Sequence, residues 1–297
     1  MEGIMERTFS GKTIVITGAT SGIGLATAKL LVSQGAALIG IGRSRERCEE
    51  VLGHLRRMNP DAQIDYVVAD LALQGEIRGA AARIRELLAA RGKTDLDGLV
   101  NNAGTFTFWL TYTPEGFETQ WAVNHLAPFL FTHELLPLLD NAPSARVVTI
   151  SSGSHYGTRL KWEDLQLRHH YNGLLAYQQT KLANVLFTLE LNRRLEPGST
   201  VRAFAAYPGL VRTEIGSKGT PAIVRWVWGR RAAAGDPPET AAQGIVYLLG
   251  EPSIQATTEV YWKAGAPKAA SRYALDPTSA SRLWQISEKM CGIGQED

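Results

Sequence analysis

Cysteine is scarce: Cys48 and Cys291 are the only two in 297 residues, far apart and with no partner at metal-ligand spacing. That argues against a disulfide scaffold and against a zinc-ribbon site, and no metal is expected. Neither sign of charge is in excess, with 31 Lys and Arg against 29 Asp and Glu and a formal net charge of +2. Affinity for phosphate backbones would need a basic face, so the balance speaks against a nucleic-acid binder. Long apolar runs are also missing. The most apolar early stretch, 30–41, is broken by Ser33, Gln34 and Gly35 and falls short of the roughly 20 residues of a membrane span. Residues 1–12 carry Glu2, Glu6 and Arg7 and no apolar segment of signal-peptide length. The expectation is a soluble, cytoplasmic protein with no transmembrane span. Repeats, low-complexity tracts and a Pro/Gly/Ser-rich linker are absent too, which favours one domain over 1–297.

What is present is a globular composition, 44% hydrophobic and 20% charged, with enough apolar material for a full core. Short β-branched runs at 12–17, 36–42, 63–69, 96–101, 146–151 and 200–207 read as buried strands. Amphipathic stretches at 22–34, 45–58, 73–91, 114–139, 173–195 and 238–249 alternate with them as helices. Strict alternation with continuous strand hydrophobicity predicts an α/β fold, a single doubly wound parallel sheet of Rossmann type with helices on both faces. The core spans about 10–250, and a C-terminal strand and helix fall within 256–292, with 279–290 amphipathic. Two long interruptions, the polar 153–172 and 210–236 with Trp226 and Trp228 in a short apolar patch, leave the carboxyl ends of strands, where open α/β sheets bind ligands.

The first strand runs into Thr17-Gly18-Ala19-Thr20-Ser21-Gly22-Ile23-Gly24 and then directly into a helix. Glycine is required where a tight turn must bring backbone amides close to a pyrophosphate, and the helix N-terminus adds partial positive charge. Gly18, Ser21, Gly22, Ile23 and Gly24 are therefore cofactor-binding candidates. Tyr177 and Lys181 are four residues apart in a helical stretch, so both side chains converge on one point. A phenol is a poor acid or base at neutral pH. A nearby ammonium, joined by an oxidised nicotinamide, favours its ionised form and makes Tyr177 a proton donor or acceptor. Ser152, at a strand end, has a hydroxyl suited to hold a substrate oxygen; Ser151 competes for that role. The second strand ends Ile41-Gly42-Arg43-Ser44-Arg45 without a carboxylate. An acidic residue there would accept ribose hydroxyls, whereas Arg43 offers a planar fork to a 2′-phosphate, so the expected cofactor is NADP(H).

The glycine spacing G-x-x-x-G-x-G resembles that of the short-chain dehydrogenase/reductase family, and the rest of that family's set follows in order. It comprises Asp70-Leu71, Asn101-Asn102-Ala103-Gly104, Asn124, Ser151-Ser152, Tyr177-x-x-x-Lys181, and Pro208-Gly209 with Val211 and Thr213. The 25-residue interval from Ser152 to Tyr177, and the stretches WAVNHLAPFLFT and LAYQQTKLANVLFTLEL, resemble the retinol-dehydrogenase-like branch. The resemblance implies an oxidoreductase acting on a carbonyl or alcohol, an apolar small molecule. It makes Ser152 the catalytic serine, assigns Lys181 the nicotinamide ribose, and gives Asn124 a water-mediated proton relay ending at Lys181. Asp70 would cap the adenine amino group, or serve as a helix N-cap before Leu71. Leu71, Asn101, Ala103, Gly104, Tyr177, Pro208, Gly209, Val211 and Thr213 would line the cofactor. Family members pair through helices, so a homodimer or tetramer is a further expectation.

Rival readings are a non-catalytic nucleotide-sensing or scaffold protein, and an extended-branch epimerase or dehydratase, which the glycine spacing disfavours. His155, His169 and His170 read as solvated loop residues, and His125 and His133 as facing partners or solvent. Trp226 and Trp228 could form a substrate lid, pack on the domain or dock on a membrane. Arg45, Arg47, Arg56 and Arg57, interleaved with Glu46, Glu49 and Glu50, read as a solvated helix face.

Overall fold

The computed structural model describes residues 8–211 and 235–294. Thr213, Trp226 and Trp228 lie outside the described residues. Strand β1 (Thr13–Thr17) is followed by α1 (Gly22–Ser33), β2 (Ala37–Gly42), α2 (Arg45–Met58), β3 (Ile64–Val68), α3 (Gln74–Ala90) and β4 (Gly98–Asn101). Next come α4 (Thr119–Trp121), a π-helical turn (Ala122–Leu126), α5 (Ala127–Asp140), β5 (Ala145–Ile150), α6 (Gly173–Arg194) and β6 (Val201–Tyr207). The described chain ends with α7 (Pro238–Gly250), β7 (Tyr261–Lys263), β8 (Ala266–Pro267) and α8 (Pro277–Met290).

The sheet order is β3-β2-β1-β4-β5-β6-β7-β8, parallel through β7 and closed by the antiparallel β8. Successive side chains of a strand point to opposite faces, and both faces are covered here. On one, Val15, Ile39, Leu99 and Val147 meet Ile84 of α3, Leu130 of α5 and Leu186 of α6. On the other, Ile14, Leu38, Val100 and Val148 meet Leu31 of α1, Leu55 of α2 and Ile245 of α7. Burial on both faces explains why these strands read as unbroken apolar runs rather than alternating ones. Strand order reverses between β1 and β4, so the carboxyl ends of these two strands flank the crevice of the sheet.

One expected helix is divided. The 114–139 stretch becomes helical only at Thr119, where the Glu118 carboxylate accepts the amides of Gln120 (2.9 Å) and Trp121 (2.7 Å). The helix then widens, Ala127 donating to the Ala122 carbonyl five residues back. Pro128 has no N–H to continue the normal ladder to Asn124, and such widened turns recur at functional sites.

Two histidines differ from expectation. His125 is 1% exposed, with Nε2 2.9 Å from Ser287 Oγ of α8, because the π-turn rotates it inward beneath that helix. His155 is fully buried as well, drawn in by backbone partners on both ring nitrogens. His133, His169, His170 and the arginine face of α2 are exposed as expected. The C-terminal helix packs on the domain, Trp284 lying 4.9 Å from Phe129 and 5.9 Å from Phe187 between ring centroids.

Candidate active site

Gly18 (φ +66°) and Gly22 (φ +51°) adopt left-handed backbone that bends the chain out of β1 and into α1. Gly24 is required for a different reason: a Cβ there would stand 2.3 Å from the Gly18 carbonyl oxygen and 2.5 Å from Asn102 Nδ2. Ser21 occupies the N-cap position with no side-chain hydrogen bond into the helix, and no acidic residue stands in the first turn. The amides of Gly22, Ile23 and Gly24 are thus left for an anion, as a pyrophosphate requires. A bracing residue that sequence reasoning missed is Tyr66, whose hydroxyl donates to the Ala19 carbonyl at 3.0 Å. Its signal was Gly40 inside β2: a Cβ there would fall 2.4 Å from the Tyr66 ring.

The turn after β4 is stitched to β1. Thr17 Oγ1 accepts the amides of Asn102 and Ala103, each at 3.0 Å, and Asn102 Nδ2 donates to the Thr17 carbonyl at 2.9 Å. Asn101, taken as a cofactor contact, turns its side chain into the core, donating to Thr132 at 2.9 Å. Asp70 does not cap a helix, since α3 begins at Gln74. Its carboxylate closes the preceding turn on the Ala72 amide (3.0 Å), while Glu115 caps the Gln74 amide. Leu71 is buried beneath. Arg43 is exposed just past β2, and the next residue, Ser44, caps α2.

At the other end of the crevice α6 starts at Asn172, whose side chain accepts the Leu175 amide, and its first turns bring Tyr177 and Lys181 onto β5. Lys181 Nζ donates to the Ile150 carbonyl at 3.1 Å and lies 5.4 Å from the centre of the Tyr177 ring. The two adjacent serines separate by partner. Ser151 is buried and donates to the Lys181 carbonyl at 2.7 Å, fastening β5 to α6. Ser152 is half-buried, accepts from Ser154 Oγ (2.8 Å) and Ser154 N (3.2 Å), and hydrogen-bonds with Tyr177. Asn124, fully buried in the π-turn, is held by the amide and carbonyl of Thr105 (2.7 and 2.9 Å) and by Thr180 (3.2 Å). Gly104 lies beside it: an added Cβ would sit 3.3 Å from Asn124 Oδ1 and 3.8 Å from Lys181 Nζ. The Phe106 ring meets Tyr177 edge-on at 6.0 Å. Pro208 and Gly209 (φ +86°) follow β6, and Val211 bridges to Asp236.

Burial dominates the electrostatics. It pushes the Tyr177 phenol up to about 12, against the opposing pull of Ser152, and holds the Lys181 ammonium down to about 8. The lowering expected for Tyr177 is thus not supplied by the protein alone, because desolvation of the ring outweighs the hydrogen bond from Ser152. Among the described residues no cluster of His, Cys, Asp and Glu could hold a metal. The open amides, the glycine cradle and the cation past β2 fit the phosphates of a dinucleotide.

The family profile for short chain dehydrogenases matches residues 12–222. The chain belongs to this family. It lies in the retinol-dehydrogenase-like branch: it is 38% identical to mouse retinol dehydrogenase 14 over 292 residues, covering 95% of this chain and 86% of that one. Human retinol dehydrogenase 13 is 35% identical over 299 residues, covering 97% and 87%. Among solved structures, an uncharacterised protein of Mycobacterium paratuberculosis superposes with a TM-score of 0.70 at 32% identity, covering 96% of this chain and 95% of that one. A short chain dehydrogenase of Shigella flexneri complexed with NADP shares the fold, with a TM-score of 0.68 at 22% identity, covering 88% and 100%. As a member of the branch the chain is an oxidoreductase, and no described helix is long and apolar enough to cross a membrane.

Proposed function

We propose that this oxidoreductase uses NADP(H) to interconvert an apolar carbonyl compound and its alcohol in the cytoplasm. The observation that carries the reading is the convergence of the Ser152 hydroxyl, the Tyr177 phenol and the Lys181 ammonium at one end of a crevice whose other end is a glycine cradle. When bound, the cofactor supplies the hydride. Tyr177, protonated well above neutral pH, gives its proton to the carbonyl oxygen in reduction. Ser152 has its lone pairs occupied by Ser154, so its own hydrogen is the one shared with Tyr177, and a substrate oxygen placed between the two hydroxyls would take it over. Lys181 contributes positive charge beneath the Tyr177 ring and Asn124 relays the replacement proton towards it. Holding these donors before reaction stabilises the developing alkoxide.

Arg43 supports NADP(H): no carboxylate stands at the end of β2, and the guanidinium is exposed and unpaired among the described residues. The aromatic edge of Phe106 against Tyr177 and the retinol dehydrogenase relatives support an apolar substrate. A panel of aldehydes and ketones, followed by NADPH absorbance, tests the activity. Cofactor titrations of the wild type and Arg43→Ala test the preference. The wild type is expected to bind NADPH at least about tenfold more tightly than NADH, and Arg43→Ala to lose that margin. Equal affinities in the wild type contradict the assignment.

A further inference from the structure

His155 lies three residues past Ser152 and its ring is fully buried between Tyr156 (centroids 4.2 Å apart) and Tyr261 (4.8 Å). Its Nδ1 is 2.7 Å from the Ser152 carbonyl oxygen, and its Nε2 is 3.1 Å from the Ser271 amide. A carbonyl can only accept and an amide can only donate. Nδ1 must therefore carry the hydrogen and Nε2 the lone pair, which leaves one neutral tautomer. Burial disfavours the charged ring, in keeping with that assignment.

The Ser271 side of this bond belongs to a segment beyond residue 222, where the family match ends. That segment is fastened along the loop after β5 at further points. Tyr156 donates to the Ala269 carbonyl, and the Arg159 guanidinium lies 4.5 Å over the Tyr273 ring and donates to its hydroxyl. Of these contacts, His155 alone reaches the backbone of Ser152. The Ser152 carbonyl also receives the His155 amide at 3.2 Å, so the short helical turn Gly153–His155 closes on the serine through both the backbone and the ring.

We propose that His155 is a positioning residue: as its Nδ1–H tautomer it clamps the Ser152 carbonyl to the Ser271 amide, so that the C-terminal segment fixes the angle at which Ser152 meets Tyr177. The inference rests on the reading of Ser152 as the substrate-holding serine. It makes the C-terminal segment part of the catalytic apparatus without contact to substrate or cofactor, and small errors of placement at a reacting centre are costly in rate.

The test pairs two substitutions with one spectroscopic measurement. Asparagine can present an N–H near the Nδ1 position and glutamine an acceptor near Nε2. His155→Asn thus keeps the bond to Ser152 and loses Ser271, while His155→Gln does the reverse. With NADPH and an accepted carbonyl substrate, kcat is expected to fall by about tenfold or more in both His155→Gln and His155→Asn, each of which severs one side of the clamp. NADPH affinity, read by cofactor fluorescence, is expected to stay near the wild-type value in both. Long-range proton–nitrogen correlation spectra of the wild type are expected to show His155 as the neutral Nδ1–H tautomer. An Nε2–H or charged ring overturns the proposal, and so does a His155→Gln enzyme with undiminished kcat. Equal loss of thermal stability in both variants with unchanged kcat per folded molecule would show a purely structural role and also overturn it. A wild type that reduces no carbonyl overturns the reading of function instead, and the clamp is then judged on the tautomer alone.

Discussion

The two halves of the sheet prepare for their ligands in opposite ways. In the amino-terminal half, β1 to α3, the proposed phosphate cradle is built from backbone: glycines at positive φ and open helix amides, with Thr17 of β1 fastening the turn after β4. In the carboxyl-terminal half, β4 to α8, side chains do the placing. Asn124, Ser152, Tyr177 and Lys181 are each held by partners from a different element, including carbonyls of Thr105 and Ile150. Backbone recognition tolerates almost any neighbour but no added atom. Side-chain placement tolerates small changes of shape but no missing partner.

In the carboxyl-terminal half, Lys181→Met removes the cation beneath the Tyr177 ring and is expected to lower kcat/KM for reduction on the order of 100-fold. Because burial holds Lys181 down to about 8, the wild-type rate is expected to decline as pH rises through that value, and the variant to lose that limb. A pH profile of kcat/KM checks both. In the amino-terminal half, Gly24→Ala forces a methyl against the Gly18 carbonyl and is expected to cost about 1–3 kcal/mol of stability together with NADPH affinity. Gly53→Ala in α2, where the nearest atom to a new Cβ is the flexible Arg57 side chain at 3.7 Å, is expected to stabilise by about 1 kcal/mol. Denaturant titrations with cofactor binding separate the two: equal effects would mean that the cradle is not special.

Burial lowers the folded value of His125 to about 4 from an ordinary 6.5, with Asn184 opposing. The unfolded chain therefore binds the extra proton between these values, so the contribution to stability is complete above pH 6.5 and drains away as pH falls towards 4. The full difference is about 3 kcal/mol. Urea unfolding of His125→Gln across this range is expected to show a flatter acid limb than the wild type; parallel curves would contradict it.

The strands, the order of helices and the spacing of Tyr177 and Lys181 were legible because they depend on local periodicity. The glycine loop was legible for the same reason: its constraint is written within the seven residues from Gly18 to Gly24. What stayed hidden depends on contacts between distant segments. Nothing local marks His155 as buried, since Ser271 lies 116 residues away, and nothing marks Ser287 as the partner of His125 across 162 residues. The π-turn was missed because Pro128 next to Asn124 also fits an ordinary helix start. Sequence alone also does not show that the Asn101 side chain turns into the core while that of its neighbour Asn102 fastens the turn to β1.

The central claim is that Tyr177 supplies the proton while the glycine cradle, Arg43 and Lys181 hold the cofactor. Its most direct test is a single-turnover reduction with wild type and Tyr177→Phe, each first saturated with NADPH. The variant is expected to bind NADPH as tightly as the wild type and to turn over on the order of 100-fold or more slowly. A Tyr177→Phe enzyme that oxidises its bound NADPH at the wild-type rate would contradict the account.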